Sequence, residues 1–344
     1  MMEQLERYKI ITMKSMFITL SNFALFVRRF MRAGGLLALL MCAATAWAQP
    51  SASVRSPPSG SIAVIYPDIG EPYRSVFAQI IGGIEDKVKG RVSTFAIGAE
   101  VNAGELNDAL HRRGIKVVIA LGRQGMKAAA VVDRNIGVVV GGVSAAYGGD
   151  TRNMQVNILS PDPALLFSRL KEMMPRVRRV FVVYDPRQNA WMIRLAKEAA
   201  HARGMELEAY EAQDLRSAMR AYKDIFAAAD SRQDALWLPQ DSTSVEESAV
   251  LPLVLQESWA HNLAVFSSSF GHVKRGALFS MYPDNAELGR RLAVSALEVL
   301  SGEGDASGMT PLRAVQIAVN LRTAKHVGAD TERAQGFDMT FPEQ

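Results

Sequence analysis

From residue 62 onward, apolar runs of strand length alternate with stretches of helical spacing. The segments IAVIYP (62–67), IKVVIALG (115–122), RRVFVVYD (178–185) and DALWLP (234–239) are mostly continuous apolar runs and do not switch between apolar and polar residues. Such runs are typical of strands that are covered by helices on both sheet faces. Their alternation with helical segments predicts parallel βαβ units.

The alternation occurs in two tandem units, which are separated by a looser stretch at 145–160. Each unit has a length of about 100–130 residues, which is the usual size of a domain. We therefore predict an α/β protein with two doubly wound parallel-sheet lobes. Ligands of such sheets bind beyond the carboxyl ends of the strands, so the two lobes are expected to share one cleft.

The positive charge of the chain is concentrated at its N-terminus. The formal net charge is +4, but residues 1–48 contain six Lys/Arg and two Glu, which leaves 33 basic and 33 acidic residues in the remainder. A nucleic-acid surface needs an excess of phosphate-neutralising side chains. No nucleic-acid partner is therefore expected.

The N-terminus has the pattern of an export signal. A basic RRFMR segment precedes the apolar run AGGLLALLMCAATAWA, which ends in the small-x-small pattern of Ala46, Trp47 and Ala48. This run is shorter than the roughly 20 residues that a membrane-spanning helix needs. We predict an export signal at 1–48 that is cleaved after Ala48, a flexible mature N-terminus at 49–60, and a periplasmic location.

Three alternatives for this segment stay open. The apolar run could be retained as a membrane anchor, Cys42 could carry a lipid, and translation could start at Met13, Met16 or Met31. Cys42 is the single cysteine of the chain. A processed protein would therefore have no disulfide, no thiol nucleophile and no zinc–thiolate site.

The sequence lacks the usual motifs of catalysis and cofactor binding. It has no G-x-x-x-x-G-K-[ST] phosphate loop, no G-x-G-x-x-G after a strand and no G-x-S-x-G nucleophile elbow. Its five histidines are scattered without metal-ligand spacing. We expect a binding protein without a cofactor or a metal, and not an enzyme. An exported hydrolase is the least favoured class, because it would need a nucleophile and an activating base in the cleft.

The segment LWLPQDSTSV (236–245) marks one edge of the predicted cleft. A strand ends there, and polar residues follow before the next helical segment. The pairs Ser244 with Glu247 and Thr243 with Glu246 both fit the S/T-x-x-E capping box, which predicts a helix start at this point.

Three C-terminal segments carry a resemblance to a known family: KRGALFSMYPD (274–284), AELGRRLAVSALEVLSGE (286–303) and VNLRTAKHVG (319–328). They are similar to segments of the substrate-binding proteins of ATP-binding-cassette (ABC) importers. Within that family, they resemble the members that take up tryptophan and other aromatic amino acids. The likeness extends from about Ile62 to Gly328.

The resemblance implies a type I periplasmic-binding fold, in which three crossover strands join two lobes. Lobe one would contain residues 61–148 and 282–305, lobe two would contain 149–281 and 311–330, and 331–344 would form a tail. It implies a monomer that closes over a small molecule, such as an amino acid or another small carboxylate, and delivers it to an inner-membrane ABC permease. The alternative is an exported ligand-sensing subunit that works with a membrane sensor.

The family places its ligand contacts in the loops that follow the strands. By position, the corresponding residues of this chain are Asp68, Glu71, Tyr73, Arg123, Gln124, Ser144, Tyr184, Asp185, Asn189, Gln240, Asp241, Ser242, Ser268 and Tyr282. Acidic side chains suit an ammonium group, and backbone N–H groups at helix N-termini suit a carboxylate. Relatives carry small residues where this chain has Arg123 and Gln124, so an anionic ligand is also compatible with the sequence.

Overall fold

The computed structural model describes residues 61–144, 154–303 and 307–342, and the predicted export signal lies outside them. The strands are β1 (Ile62–Pro67), β2 (Ser93–Ile97), β3 (Val117–Leu121), β4 (Gly137–Val143), β5 (Met154–Pro161), β6 (Arg179–Tyr184), β7 (Glu206–Glu211), β8 (Asp234–Leu238), β9 (Ala264–Ser267), β10 (Phe279–Pro283), β11 (Gly308–Leu312), β12 (Val315–Asn320) and β13 (Met339–Phe341). The helices are α1 (Tyr73–Val88), α2 (Ala103–Arg112), α3 (Gly122–Ala129), α4 (Pro163–Met173), α5 (Pro186–His201), α6 (Leu215–Ala228), α7 (Val250–Ala260), α8 (Gly271–Arg275), α9 (Asn285–Ser301) and α10 (Leu321–Val327).

The strands form two sheets, one in each lobe. The first has the order β11-β5-β4-β3-β1-β2, and the second has the order β13-β12-β10-β9-β8-β6-β7. All neighbouring strands are parallel except β10 and β12. Every residue of β3 and β8 is buried, because helices cover both faces of each sheet. The fold class predicted from the sequence is confirmed.

In lobe one, two helices that are far apart in sequence pack against each other at backbone distance. A Cβ atom added to Gly83 of α1 would lie 2.0 Å from the carbonyl oxygen of Ala286, and one added to Gly289 of α9 would lie 2.0 Å from that of Ile80. Only glycine permits this approach. The contact fixes α9, which follows the last strand of the second lobe's parallel core, in lobe one.

Three crossovers connect the lobes, and they are hydrogen-bonded to one another. The chain passes between the sheets from β5 to α4, from β10 to α9 and from β11 to β12. The amide of Asp162 donates to the carbonyl oxygen of Leu312 (2.9 Å), and that of Asp284 donates to Ala314 (3.0 Å). Arg313 also pairs with the Asp162 carboxylate at 2.9 Å.

The crossovers make the carboxyl edges of the two sheets face each other. β5, β10 and β11 each end at the carboxyl edge of their own sheet, and the chain enters the other lobe directly from there. Loops that follow the parallel strands of both lobes therefore border one inter-lobe region, where ligands of α/β sheets bind.

The positions of β5, β11 and β13 differ from the sequence-based lobe boundaries. Those boundaries assigned 149–161 and 311–312 to lobe two, whereas β5 and β11 pair within the first sheet. They assigned 331–344 to a tail, whereas β13 pairs with β12 in the second sheet. These assignments depend on strand pairing between distant segments, which local sequence does not encode.

Candidate functional site

The lobe-two edge is organised around the carboxylate of Asp241, which follows β8 and is buried. Its Oδ2 accepts hydrogen bonds from the amide of Asp185 (2.7 Å) and from Asn189 Nδ2 (2.9 Å). Its Oδ1 accepts from the amides of Thr243 (3.0 Å) and Ser244 (2.8 Å). These four bonds join the end of β6, the first turns of α5 and the turn after β8. Together with the hydrogen bonds of Asp185, these bonds connect a group of residues that we call the lobe-two network.

The capping box predicted in this segment is wrong. Helix α7 begins at Val250, and its N-cap is Ala249. The amides of Thr243 and Ser244 already donate to Asp241, and the Ser244 hydroxyl donates to the carbonyl oxygen of Val183 (2.9 Å). Residues 242–245 and 247–249 therefore form two turns in place of the predicted first helical turn.

Glu246 contributes to the last of these turns. Its carboxylate accepts from the hydroxyl and the amide of Ser248 and from the amide of Ala249. The hydrogen bonds, with the Ser248 hydroxyl as the largest cause, lower the pKa of Glu246 to about 2.

Asp185 is the second carboxylate of the lobe-two network, and it is fully buried. It caps α5 by accepting from the amide of Arg187 (3.0 Å), and it also accepts from the guanidinium of Arg187 (2.6 Å from Nη2). Thr243 Oγ1 (3.0 Å) and Gln188 Nε2 (3.3 Å) donate to its Oδ2. These bonds, and above all those of the Arg187 side chain, hold the pKa of Asp185 well below its usual range.

Gln240 connects the lobe-two edge to lobe one. Its Nε2 donates to the carbonyl oxygen of Ser268 (3.2 Å), and its Oε1 accepts from the hydroxyl of Ser160 at the end of β5 (2.7 Å). The Ser268 hydroxyl in turn accepts from Trp237 Nε1 (2.9 Å). Gln240 and Ser268 are thus held beside the first crossover.

The remaining predicted residues that the structure places in lobe two, among them Tyr282 of β10, differ in exposure. Tyr184 is buried and donates to Glu211 Oε1 (3.0 Å); burial, followed by this hydrogen bond, raises its pKa. Ser242 is exposed and lies 3.3 Å from Gln188 Oε1. Tyr282 is half-buried, its ring centroid lies 4.8 Å from that of Phe270, and burial raises its pKa.

The lobe-one edge carries charged side chains that have no partner among the described residues. β1 and β3 are adjacent strands, and Ile65 lies beside Ala120; Asp68 directly follows β1, and Arg123 lies in the first turn of α3, which directly follows β3. Both residues are exposed. Neither side chain forms a hydrogen bond or an ion pair within the described part of the chain. A cation and an anion are thus available on adjacent strand ends.

The other predicted lobe-one residues lie in the loops and first helical turns that follow β1, β3 and β4. Tyr73 is the first residue of α1 and is 61% exposed, and Ser144 is exposed after β4. Glu71 accepts from the amide and the hydroxyl of Ser75, and Gln124 is half-buried in the first turn of α3. The structure therefore brings the predicted residues together as two separate groups, one on each edge.

Sequence analysis did not identify one hydrogen-bonded group, which consists of Ser267, His272 and Glu247. Ser267 Oγ lies 2.8 Å from His272 Nδ1, and His272 Nε2 lies 2.9 Å from Glu247 Oε1. The order resembles a hydrolase triad. However, Ser267 is completely buried, accepts from the amide of Ser269 and lies within hydrogen-bond distance of the Leu238 carbonyl oxygen. Its hydroxyl is therefore not placed to attack a bound solute, and the group instead connects the turn after β8 with the loop after β9.

Neither metal ligation nor a membrane crossing is indicated by the described residues. Within 61–144, 154–303 and 307–342, no three or more His, Cys, Asp or Glu side chains come together as metal ligands could. In the same ranges no helix combines the length and apolarity that crossing a bilayer requires.

Two lobes, three crossovers and facing strand edges define a protein of the type I periplasmic-binding fold. The sequence profile of the family described as "ABC transporter substrate binding protein" matches residues 162–333, which is half of the chain. The chain belongs to this family. Proteins of the family bind small-molecule solutes, work in general with an ABC permease and are typically extracytoplasmic. No curated protein sequence matches this chain.

Three solved structures are similar to this chain, and the first of them, with a TM-score above 0.5, supports the fold. The ligand-free, open structure of a substrate binding protein with adhesive properties from Clostridium difficile has 15% identity and a TM-score of 0.57, and it covers 81% of this chain and 98% of that chain. A conserved domain protein from Vibrio cholerae has 16% identity, a TM-score of 0.47 and coverage of 82% and 99%. An ABC domain in complex with L-Trp from Streptococcus pneumonia has 15% identity, a TM-score of 0.47 and coverage of 81% and 100%.

Proposed function

We propose that this protein is the extracytoplasmic solute receptor of an ABC importer. The segment 1–48 directs its export. The exported protein closes its two lobes over an amino acid or another small carboxylate and presents the closed form to an inner-membrane permease. Closure is a shift between two arrangements of the lobes, so the solute must bind the closed arrangement more tightly than the open one.

The observation that carries the proposal is the pair of unpartnered charges on the lobe-one edge. Arg123 suits a carboxylate, because a guanidinium can donate two parallel hydrogen bonds to it. Asp68, which directly follows the neighbouring strand β1, suits an ammonium group. On the opposite edge, the exposed Ser242 provides a neutral hydroxyl beside carboxylates that are already hydrogen-bonded.

A binding screen of the purified protein tests this function. We expect amino acids or small carboxylates to raise the thermal unfolding midpoint with increasing concentration, as mass action requires of a ligand that binds the native state. If sugars or cations raise it and none of these compounds does, the ligand class is wrong. If no small solute raises it and none co-purifies by mass spectrometry, the receptor proposal fails.

The substitution Arg123→Ala tests the assignment of the carboxylate contact. We expect affinity for the solute to fall about 10- to 100-fold, since a charge-assisted bond contributes about 1.5–3 kcal/mol. The matched control is Arg134→Ala, which removes an exposed arginine that precedes β4 at the other end of the same sheet. Calorimetric affinities that fall equally in both variants would remove Arg123 from the site.

A further inference from the structure

Lobe two has a groove on its outer face, between α6 and α7 and away from the solute site. The recess has a volume of about 730 Å³. Its apolar lining includes Met219 and Phe226 from α6 and Leu253 from α7, and Leu253 is 36% exposed. The ring of Phe226 stacks on that of His261, with 5.7 Å between centroids.

One wall of this α6–α7 groove carries a row of cations. Arg216, Arg220 and Lys223 are spaced i, i+4 and i+7, so they lie on one face of α6 over about 10 Å. Arg220 and Lys223 form no ion pair with any described residue. Arg216 lies near Asp214, whose pKa is lowered mainly by hydrogen bonds from Ser217 and to a smaller extent by Arg216. The opposite wall has Glu257, whose Oε2 lies 3.8 Å from His261 Nδ1.

The three cations of this row are concentrated locally on one wall of the groove. Beyond residue 48 the chain has equal numbers of basic and acidic residues, so general basicity does not account for three cations along one wall. A partner that complements the wall must present negative charge at matching spacing, and one that complements the floor must present apolar side chains.

The shape of the groove distinguishes a helix from a lipid surface. Bilayer binding uses apolar side chains that protrude into the interface. Here Phe226 is only 8% exposed, and the apolar groups lie at the bottom of a recess between two helices. Such a recess is suited to the apolar face of an amphipathic helix.

We propose that the α6–α7 groove is a docking site for an acidic amphipathic helix of a partner protein. The apolar face of that helix packs on Met219, Phe226 and Leu253, and its carboxylates pair with Arg216, Arg220 and Lys223. The site goes beyond solute binding, and it does not depend on which solute the cleft holds.

Fluorescence anisotropy tests the proposal with a labelled helical peptide of about 18 residues, long enough to form a helix when it is stapled. The peptide has leucines along one face and glutamates at i, i+4 and i+7 beside them. A second peptide has lysines in place of the glutamates. We expect saturable binding of the acidic peptide, weaker binding of the lysine peptide, and a loss of affinity between about 50 and 300 mM salt, because screening acts on exposed charges.

Charge reversal locates the binding site. The double substitution Arg220→Glu and Lys223→Glu is expected to weaken the acidic peptide at least about tenfold, because like charges then face each other. The matched control is Arg194→Glu with Lys197→Glu, which reverses two exposed cations of the same i, i+3 spacing on α5. We expect that control to retain wild-type affinity.

The apolar floor has its own variant. Leu253→Ala is expected to weaken the peptide about threefold through lost apolar area. Val131→Ala, which shortens an exposed apolar side chain in lobe one, is expected to have no effect.

Four results would overturn the proposal. They are no saturable binding of the acidic peptide, equal binding of both peptides, equal loss in the α5 control, and sedimentation with phosphatidylglycerol vesicles in place of peptide binding. The last result would assign the groove to a membrane surface. A failed solute screen with intact peptide binding would count against the receptor function alone.

Discussion

The two strand edges that border the cleft use their charged residues differently. On the lobe-two edge, the carboxylates of Asp185 and Asp241 are buried and accept hydrogen bonds from donors of this chain. On the lobe-one edge, Asp68 and Arg123 are exposed and unpaired within the described residues. The comparison shows that charged residues after parallel strands can either build the edge or remain available to a ligand.

Burial accounts for the difference. A buried carboxylate is tolerated only when hydrogen bonds or an opposite charge compensate for the lost water, so Asp185 and Asp241 must collect donors from the loops around them. An exposed carboxylate such as Asp68 remains hydrated and needs none. We therefore propose that the lobe-two network preorganises the cleft and that the lobe-one pair contacts the solute.

Removing the central carboxylate should have the largest effect. Asp241→Ala leaves the amides of Asp185, Thr243 and Ser244 and the Asn189 side chain without their acceptor. We expect the free energy of unfolding in urea to fall by about 3–5 kcal/mol. Asp68→Ala, the matched change on the other edge, should alter it by less than about 0.5 kcal/mol. Equal losses in the two variants would contradict the division of roles.

A second substitution tests whether the contact between α1 and α9 stabilises lobe one, whose charged edge residues are unpaired within the described part of the chain. Gly289→Ala forces a methyl group against the backbone of α1 and should destabilise the protein by about 2–3 kcal/mol. Gly82→Ala is the control in α1, because nothing lies within 4 Å of its added Cβ. We expect the control to stabilise the protein by about 0.5–1 kcal/mol. Thermal midpoints that move in the same direction would show that the α1–α9 contact is looser than the structure indicates.

The smallest effect concerns pH. The pKa of Asp185 lies below its unfolded-chain value of about 3.9, so its ionised form stabilises the fold fully above about pH 5. This contribution is lost as the pH falls through 4 towards the folded-state pKa. In Asp185→Asn, which cannot ionise, the decrease in unfolding free energy between pH 5 and 3 should be shallower by about 1 kcal/mol. If the unfolding free energies of the variant and the wild type ran parallel with pH, Asp185 would not contribute to the pH dependence of stability.

Much of the fold was predictable because its signals are local. β3 and β8 are continuous apolar runs, and both are buried as predicted. β5 was missed because Gln155 and Asn157 alternate with apolar residues and interrupt its run. β11 was missed because its sequence, GMTPL, contains glycine and proline and lies at the exposed edge of the sheet.

The site was predictable in position more than in role. The loop PQDST does follow a strand at the carboxyl edge, as the sequence predicted. The role of Asp241 depends on Asp185 and Asn189, which are more than 50 residues away. No spacing rule connects the two segments, because their contact arises from the pairing of β6 with β8. The hydrogen bond from Thr243 to the carboxylate of Asp185 was not predicted, for the same reason.

The sequence by itself determined the alternation of strands and helices, the two-lobed α/β class and the strand ends at which polar residues gather. Periodicity and continuous apolarity are properties of neighbouring residues, so they can be read directly from the sequence. Only the tertiary structure determined which carboxylates are buried and hydrogen-bonded within the protein and which remain exposed. That decision depends on burial and on donors from distant segments, and these exist only after the strands have paired and the lobes have formed.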